Sequence, residues 1–320
     1  MVIQVLIGGT SSEREVSLAS GSAIARGLER AGHKVTLYDF NPAEGRDIHH
    51  LVGAADLREA DVVFIALHGG EGEDGRIQAV LEMAGKPYTG SGVRASAVCM
   101  DKMISKIMLE HHGIVTPPWA YLRRKEAGEW RGSASIAGLG MPIVVKPVDQ
   151  GSTIGISIVG RAGDLARAID LALRYSDAVV FEKYIDGREL STSIVGDEVF
   201  PTVEIKPKQG FYDYERKYTK GMTEYECPAK IEPAVARQLE ADALKAYQVC
   251  GCEGFGRVDS RLDGKGTAYF LEINTIPGMT ETSLVPMAAR ARGLAFEALV
   301  DRIASLGLGR GGASRPNTGG

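Results

Sequence analysis

Over the first ninety positions, short apolar runs alternate with amphipathic stretches. "VIQVLIGG", from Val2, reads as a buried strand ending in a Gly-Gly turn. The next stretch, "SSEREVSLASGSAIARGLERAG", puts Val16, Ala23, Ile24 and Leu28 on one helical stripe. Ser12 and Glu15 precede that stripe at the spacing of a capping box. "KVTLYDF" and "DVVFIALHG" predict two more strands and "DGRIQAVLEMAG" a second helix, an order expected of a parallel α/β lobe. Pro and two glycines in "KPYTGSG" break the pattern and place a lobe boundary near residue 95.

From about Met100 the periodicity changes. A helix over Lys102 to His112 leads into "TPPW". The strands "MPIVVKPV", "GISIV" and "AVVFEKYI" follow, with a helix over Gly163 to Tyr175, making a central lobe of residues 96–185. A third lobe, 186–308, is expected to hold hairpin strands around "VGDEVF", a polar Tyr-rich stretch at about 210–227 and a helix from Pro233 to Cys250. Its last strands, "FGRVDSRL" and "AYFLEINT", are joined by a "DGKG" turn. Residues 309–320 are rich in Gly, Ser and Pro and are expected to be disordered. There is no internal repeat.

Composition adds mostly exclusions. At 320 residues the chain exceeds one domain unit of roughly 150. The net charge of -4 leaves no basic footprint for nucleic acid. No apolar run approaches the ~20 residues of a membrane span, and the start has no basic leader, so a cytoplasmic protein is expected. Four cysteines (Cys99, Cys227, Cys250, Cys252) suit a reducing compartment. The C-x-C of Cys250 and Cys252 lacks a second ligand pair, so packing thiols are expected.

The candidate chemistry lies where polar residues interrupt apolar strands. Alternation puts Phe270, Glu272 and Asn274 on one face and Tyr269, Leu271 and Ile273 on the other. Likewise Arg257 and Asp259 face away from Val258 and Leu262. Paired as a hairpin, the two strands would gather two carboxylates, an amide oxygen and a guanidinium, a hard-oxygen set suited to Mg²⁺. An ordinary polar hairpin end is the plainer reading of Glu272 and Asn274 alone. "KPVDQGSTIGIS" offers Lys146 and a Gly/Ser/Thr turn to phosphate oxygens, although it is no Walker A loop. In "FEKYIDGREL", Glu182, Lys183, Ile185 and Glu189 could border a purine nucleoside or simply face solvent. "GGTSSERE" sets a helix N-terminus at the end of the first strand, a usual ligand crevice, without the G-x-G-x-x-G of a dinucleotide fold. There Glu13 would serve the helix dipole or a substrate ammonium, and His68 would be a hydrogen-bonded surface residue or a catalyst.

With these residues placed, the chain resembles the D-alanine:D-alanine ligases of the ATP-grasp superfamily. The likeness runs from residue 3 to about 305 through "GGTSSEREVSLASG", "ALHGGEGEDG", "PYTGSGVRASAVCMDK", "KPVDQGSTIG", "EKYIDGRE", "FYDYERKY", "GRVDSRL" and "LEINTIPGMTETSLVPMAA". It implies three lobes, the first Rossmann-like, with ATP between the central and C-terminal ones. It also implies an acyl phosphate made from one D-alanine and captured by the amine of a second. By that resemblance Asp259, Glu272 and Asn274 hold two Mg²⁺ or Mn²⁺ ions, and Lys102, Lys146 and Lys217 meet phosphate. Glu182, Lys183 and Ile185 surround adenine, and Glu189 binds ribose. Arg257 and the Gly278 N–H form the oxyanion site. Glu13, Ser152 and Tyr218 orient the first D-alanine, with His68 nearby, under a lid at about 210–227. Ser283 and the Leu284 backbone receive the second D-alanine's carboxylate. Tyr218 follows the dipeptide-forming pattern, Thr282 replaces a His of some relatives, and a homodimer through the first lobe is usual.

Overall fold

The structure, a computed structural model, describes residues 1–126, 128, 130, 133–207 and 223–312, with backbone alone for 310–312. Its first sheet contains β1 (Val2–Gly8), β2 (Lys34–Phe40) and β3 (Val62–Ile65), all parallel in the order β2-β1-β3. Helix α1 (Arg14–Arg30) connects the first two strands. Helices α2 (Ile48–Gly53), α3 (Ala55–Glu59) and α4 (Arg76–Met83) follow, then α5 (Val93–Met100) and α6 (Lys102–His111).

The second sheet is antiparallel, β4-β7-β5-β6, from β4 (Trp119–Arg123), β5 (Ile143–Pro147), β6 (Ser157–Val159) and β7 (Ala178–Lys183). Helices α7 (Ala134–Gly138) and α8 (Leu165–Ala172) accompany it. The third sheet runs β11-β10-β8-β12-β13, with β9 (Glu198–Val199) beside β8. Its strands are β8 (Arg188–Val195), β10 (Val203–Pro207), β11 (Thr223–Glu226), β12 (Phe255–Leu262) and β13 (Ala268–Asn274). Helices α9 (Pro233–Val249), α10 (Leu284–Ala291) and α11 (Phe296–Gly312) complete the chain. The α/β class expected from the sequence is what folds. Among the described residues no helix is long and apolar enough to cross a membrane.

Parallel strands need cover on both faces. On one face Leu6, Val63 and Ile65 meet Leu51, Leu57, Ile77 and Leu81. On the other, Ile3, Val5, Val62 and Phe64 meet Ile24 and Leu28 of α1, and also Leu299, Val300 and Ile303 of α11. The last helix thus belongs to the core of the first sheet. It runs through Gly312, which corrects the expected start of disorder at 309; residues 313–320 lie outside the described residues. Each antiparallel sheet packs one face on a helix, Ile143, Val145, Val179 and Phe181 against α8 and Val258, Leu262, Phe270 and Ile273 against α9. On the other face of the third sheet, Val195, Val203 and Phe255 pack with Leu284 and Val285 of α10. These other faces also carry the polar residues of the site.

Two local expectations are corrected. No capping box forms, because α1 starts at Arg14 with Glu13 as its N-cap and no side-chain cap bond. Instead Ser11 Oγ accepts from the Glu13 N–H at 3.1 Å, and the Glu13 carboxylate turns to the site. The register of β12 and β13 also shifts, pairing Asp259 with Glu272 but Ser260 with Phe270. Leu271 is the extra residue of a β-bulge, so Phe270 joins Ile273 in the core instead of sharing a face with Glu272.

Close packing of α1 on β1 gives a stability prediction. A Cβ built on Gly21 would lie 2.0 Å from Ile7 Cγ2. Gly21→Ala should therefore destabilise by roughly 1–2 kcal/mol, the overpacking outweighing the helix-propensity gain of up to ~1 kcal/mol. Urea unfolding should show a lower midpoint; a higher one would mean that β1 yields freely.

Candidate active site

The bulge at Leu271 turns Glu272 and Asn274 out of the core at the open edge of the third sheet. Glu272 lies opposite Asp259 and Asn274 opposite Arg257. Arg257, 6% exposed, grips Asp259 with a two-pronged fork, Nε to Oδ1 at 2.8 Å and Nη2 to Oδ2 at 2.7 Å. Ser191 Oγ donates to Asp259 Oδ1 at 2.8 Å from β8. With the Asn274 amide oriented by its neighbours, its oxygen accepts from Arg257 Nη2 at 3.3 Å and its nitrogen donates to the Ile276 carbonyl at 3.3 Å. Two carboxylates and an amide oxygen fit a hard cation that keeps positions for water and phosphate. Among the described residues no group of three His, Cys, Asp or Glu forms a metal cluster, so the candidate set relies on the Asn.

Lysines face this oxygen set. Asp101 caps α6 by accepting from the Met103 and Ile104 N–H groups, which fixes the helix start at Lys102. Lys102 Nζ donates to the Gln150 carbonyl at 2.5 Å and sits 3.6 Å from Glu272 Oε2. Lys146, at the end of β5, has Nζ 2.7 Å from Glu182 Oε2. Glu182 Oε1 lies 2.8 Å from the Nζ of Lys106, a residue the sequence reading passed over. Burial alone would raise the Glu182 carboxyl, but Lys106 and Lys146 hold it down at about 2. Because that carboxylate is committed to two lysines, a purine contact from Glu182 falls to its backbone. Lys183 is exposed and Ile185 buried just beyond β7.

A signal for Lys106 was present. The buried stripe of α6 is Lys102, Ser105, Lys106 and Leu109, whereas Ile104 and Ile107 are exposed. A helix that turns its lysines inward and its isoleucines outward advertises a polar interior.

Glu189 lies where β8 enters the third sheet, 3.9 Å from Arg261 Nη1. Burial, and then the nearby Asp259 and Glu272, push its carboxyl up to about 7 against the pull of Arg261. The folded protein then binds more protons than the unfolded chain between the ordinary carboxyl value of 4.5 and about 7, so stability falls as pH rises through that window. In metal- and nucleotide-free protein, the urea midpoint should drop more from pH 5 to 8 in the wild type than in Glu189→Gln. Parallel slopes would refute the raised carboxyl.

The first lobe closes the site from the other side. Ser152 Oγ donates to Glu13 Oε1 in a short hydrogen bond. Ser152 and Thr153 hold φ of +50° and +65°, a left-handed conformation that non-glycine residues keep only when their surroundings enforce it. Glu13 Oε2 lies 2.9 Å from where a Cβ on Gly69 would stand and 3.1 Å from one on Gly151, so both turns approach the carboxylate closely. Glu13, Glu73, Lys102, Gln150, Gly151, Ser152, Glu272 and Asn274 line one pocket.

His68 is not the surface residue its position suggested; it is 4% exposed. Its Nδ1 is 2.8 Å from the Ile276 carbonyl, which can only accept, so Nδ1 carries the proton. Nε2 lies 3.2 Å from Ser20 Oγ, which accepts from the Met279 N–H at 3.2 Å. His68 and Ser20 thereby pin both ends of the turn that carries Gly278. A Cβ on Gly278 would lie 3.2 Å from Ser283 Oγ. Ser283 in turn accepts from the Thr280 N–H at 3.0 Å and contacts Thr280 Oγ1 at 2.8 Å, at the N-terminus of α10 before Leu284. Thr282 Oγ1 is 3.3 Å from Thr280 Oγ1. Lys217, Tyr218 and most of the 210–227 stretch lie outside the described residues. Cys99, Cys250 and Cys252 are buried and free, and Cys227 is half-buried.

The profile of the D-ala D-ala ligase C-terminus matches residues 108–305, and that of the D-ala D-ala ligase N-terminus matches residues 41–91. A D-alanine–D-alanine ligase of Syntrophotalea carbinolica is 46% identical over 303 residues, 94% of each chain. The structure of a D-alanine–D-alanine ligase from Bacillus anthracis complexed with ATP matches with a TM-score of 0.85 at 32% identity, covering 97% of this chain and 98% of that one. The VanG D-Ala:D-Ser ligase from Enterococcus faecalis matches with a TM-score of 0.82 at 29% identity, covering 95% and 98%. Two family profiles and 46% identity over 94% of the chain place it in the D-alanine–D-alanine ligase family.

Proposed function

We propose that the chain joins two D-alanine molecules with ATP, releasing ADP and phosphate through a D-alanyl phosphate, to supply a peptidoglycan precursor. The observation that carries this reading is Asp259 and Glu272 in register beside Arg257, with Lys102 3.6 Å from Glu272, in a chain 46% identical to a D-alanine–D-alanine ligase. The same reading takes residues 1–95, 96–185 and 186–308 as three lobes, and the protein as a cytoplasmic homodimer formed through the first.

Both chemical steps gather negative charge on a crowded centre, so preorganised cations and N–H groups do most of the work. Lys102 and Lys146, with Lys217, neutralise phosphate oxygens. Mg²⁺ or Mn²⁺, when held by Asp259, Glu272 and Asn274, would offset the charge of the transferring phosphoryl group. Ile185 and the backbone of Glu182 and Lys183 border adenine, and Glu189 meets the ribose. Glu13, fixed by Ser152 and joined by Tyr218, holds the ammonium of the first D-alanine, with His68 positioning the turn beside it. Arg257 and the Gly278 N–H stabilise the oxyanion when the second amine attacks. Ser283 and the Leu284 N–H receive the second carboxylate, where the start of α10 favours an anion.

Incubation with ATP, Mg²⁺ and D-alanine, with or without D-lactate or D-serine, should yield D-alanyl-D-alanine by mass spectrometry in every mixture. ADP release without the dipeptide sinks the assignment. A predominant mixed product would move the chain toward the D-lactate or D-serine ligases.

A further inference from the structure

Lys106 has no place in the roles above, yet its side chain is wholly buried. Its Nζ is 2.7 Å from Thr116 Oγ1 and 2.8 Å from Glu182 Oε1, while Lys146 takes the other Glu182 oxygen at 2.7 Å. The Lys146 side chain keeps 8% of its surface exposed and that of Lys106 none, so Lys146 fronts the site while Lys106 stands behind. Two lysines share one buried carboxylate, so with both protonated the cluster carries a formal charge of +1.

That arithmetic matters for an anionic ligand. A lysine at a buried position needs a carboxylate to hold it in place. A lysine matched one-to-one with a carboxylate, however, shows phosphate a neutral pair. We infer that Lys106 is a positioning residue that cancels the Glu182 charge, so that Lys146 is both anchored and free to attract the ATP phosphates. The inference rests on the ATP reading above. It is distinct from a purely structural role, in which Lys106 only satisfies Glu182 and phosphate attraction does not depend on it.

The test compares ATP with adenosine, which shares the base and ribose but lacks the phosphates. Dissociation constants for both are measured by calorimetric titration on wild type, Lys106→Met, Glu182→Gln and the Lys106→Met/Glu182→Gln double variant. Circular dichroism checks each fold. In Lys106→Met the preference for ATP over adenosine should fall by about 10- to 100-fold, the effect of an uncompensated carboxylate several ångströms from phosphate. The double variant regains the net positive charge and should recover most of that preference. Glu182→Gln carries one positive charge more but gives up the carboxylate that anchors Lys146, so its preference should lie above that of Lys106→Met without exceeding wild type. An unchanged preference in Lys106→Met, or a double variant no better than the single, overturns the inference. If Lys106→Met does not fold, Lys106→Gln takes its place, with the same expected loss and with an unchanged preference again overturning the inference. Wild-type protein that binds adenosine and ATP alike would instead overturn the proposed function.

Discussion

Glu272→Gln is expected to lower kcat by at least about three orders of magnitude, because it removes a full charge from the site where phosphoryl charge must be offset. The substitution keeps shape and volume. The Glu272 side chain is 36% exposed and has no place in the apolar clusters beneath β13. Its cationic partner among the described residues, Lys102 at 3.6 Å, also donates to the Gln150 carbonyl. Stability should therefore stay within about 0.5 kcal/mol of wild type. The variant should melt with wild-type cooperativity and release almost no ADP with ATP, Mg²⁺ and D-alanine. Full activity in it would refute the assignment of Glu272 to a cation.

Arg257→Met is the second large effect, and it should act on two observables. The guanidinium is buried and holds both Asp259 oxygens. Without it, Asp259 loses its forked donor while Ser191 still reaches it, which should cost about 1–3 kcal/mol of stability. Loss of the charge facing the oxyanion should lower kcat by about a hundred- to a thousandfold. Arg257→Lys keeps a charge but cannot reproduce the planar fork, so it should recover little of the activity. A kcat within tenfold of wild type in Arg257→Met would remove Arg257 from the reaction.

Much of this was legible in the chain. Alternation alone placed Glu272 with Asn274 and Arg257 with Asp259, because charge at the end of an apolar strand has few places to go. The expected partner of Glu272 on its own strand, Phe270, was wrong. A bulge at Leu271 is set by the pairing with β12, which no single strand encodes. Ser12 and Glu15 had the spacing of a capping box, but α1 begins two residues later and the intervening Glu13 is drawn to Ser152. Tertiary demand overrode a local signal. Lys106 was legible in principle, through the inverted pattern of α6, and was missed because lysine is read by default as solvent-facing. The covering of β1 and β3 by α11 was not legible, since contacts between distant segments leave no periodicity.

That covering helix bears on how the protein comes into being. Beyond its apolar stripe, α11 is tied to the α1 segment by Arg30 with Glu297 at 2.6 Å and His33 with Asp301 at 2.7 Å. The strands of the parallel sheet therefore wait for a helix translated after both antiparallel sheets. Until it arrives, one apolar face of the parallel sheet lies partly bare, a surface that chaperones would shield and that invites association with other nascent chains. Assembly of this enzyme cannot proceed strictly from front to back.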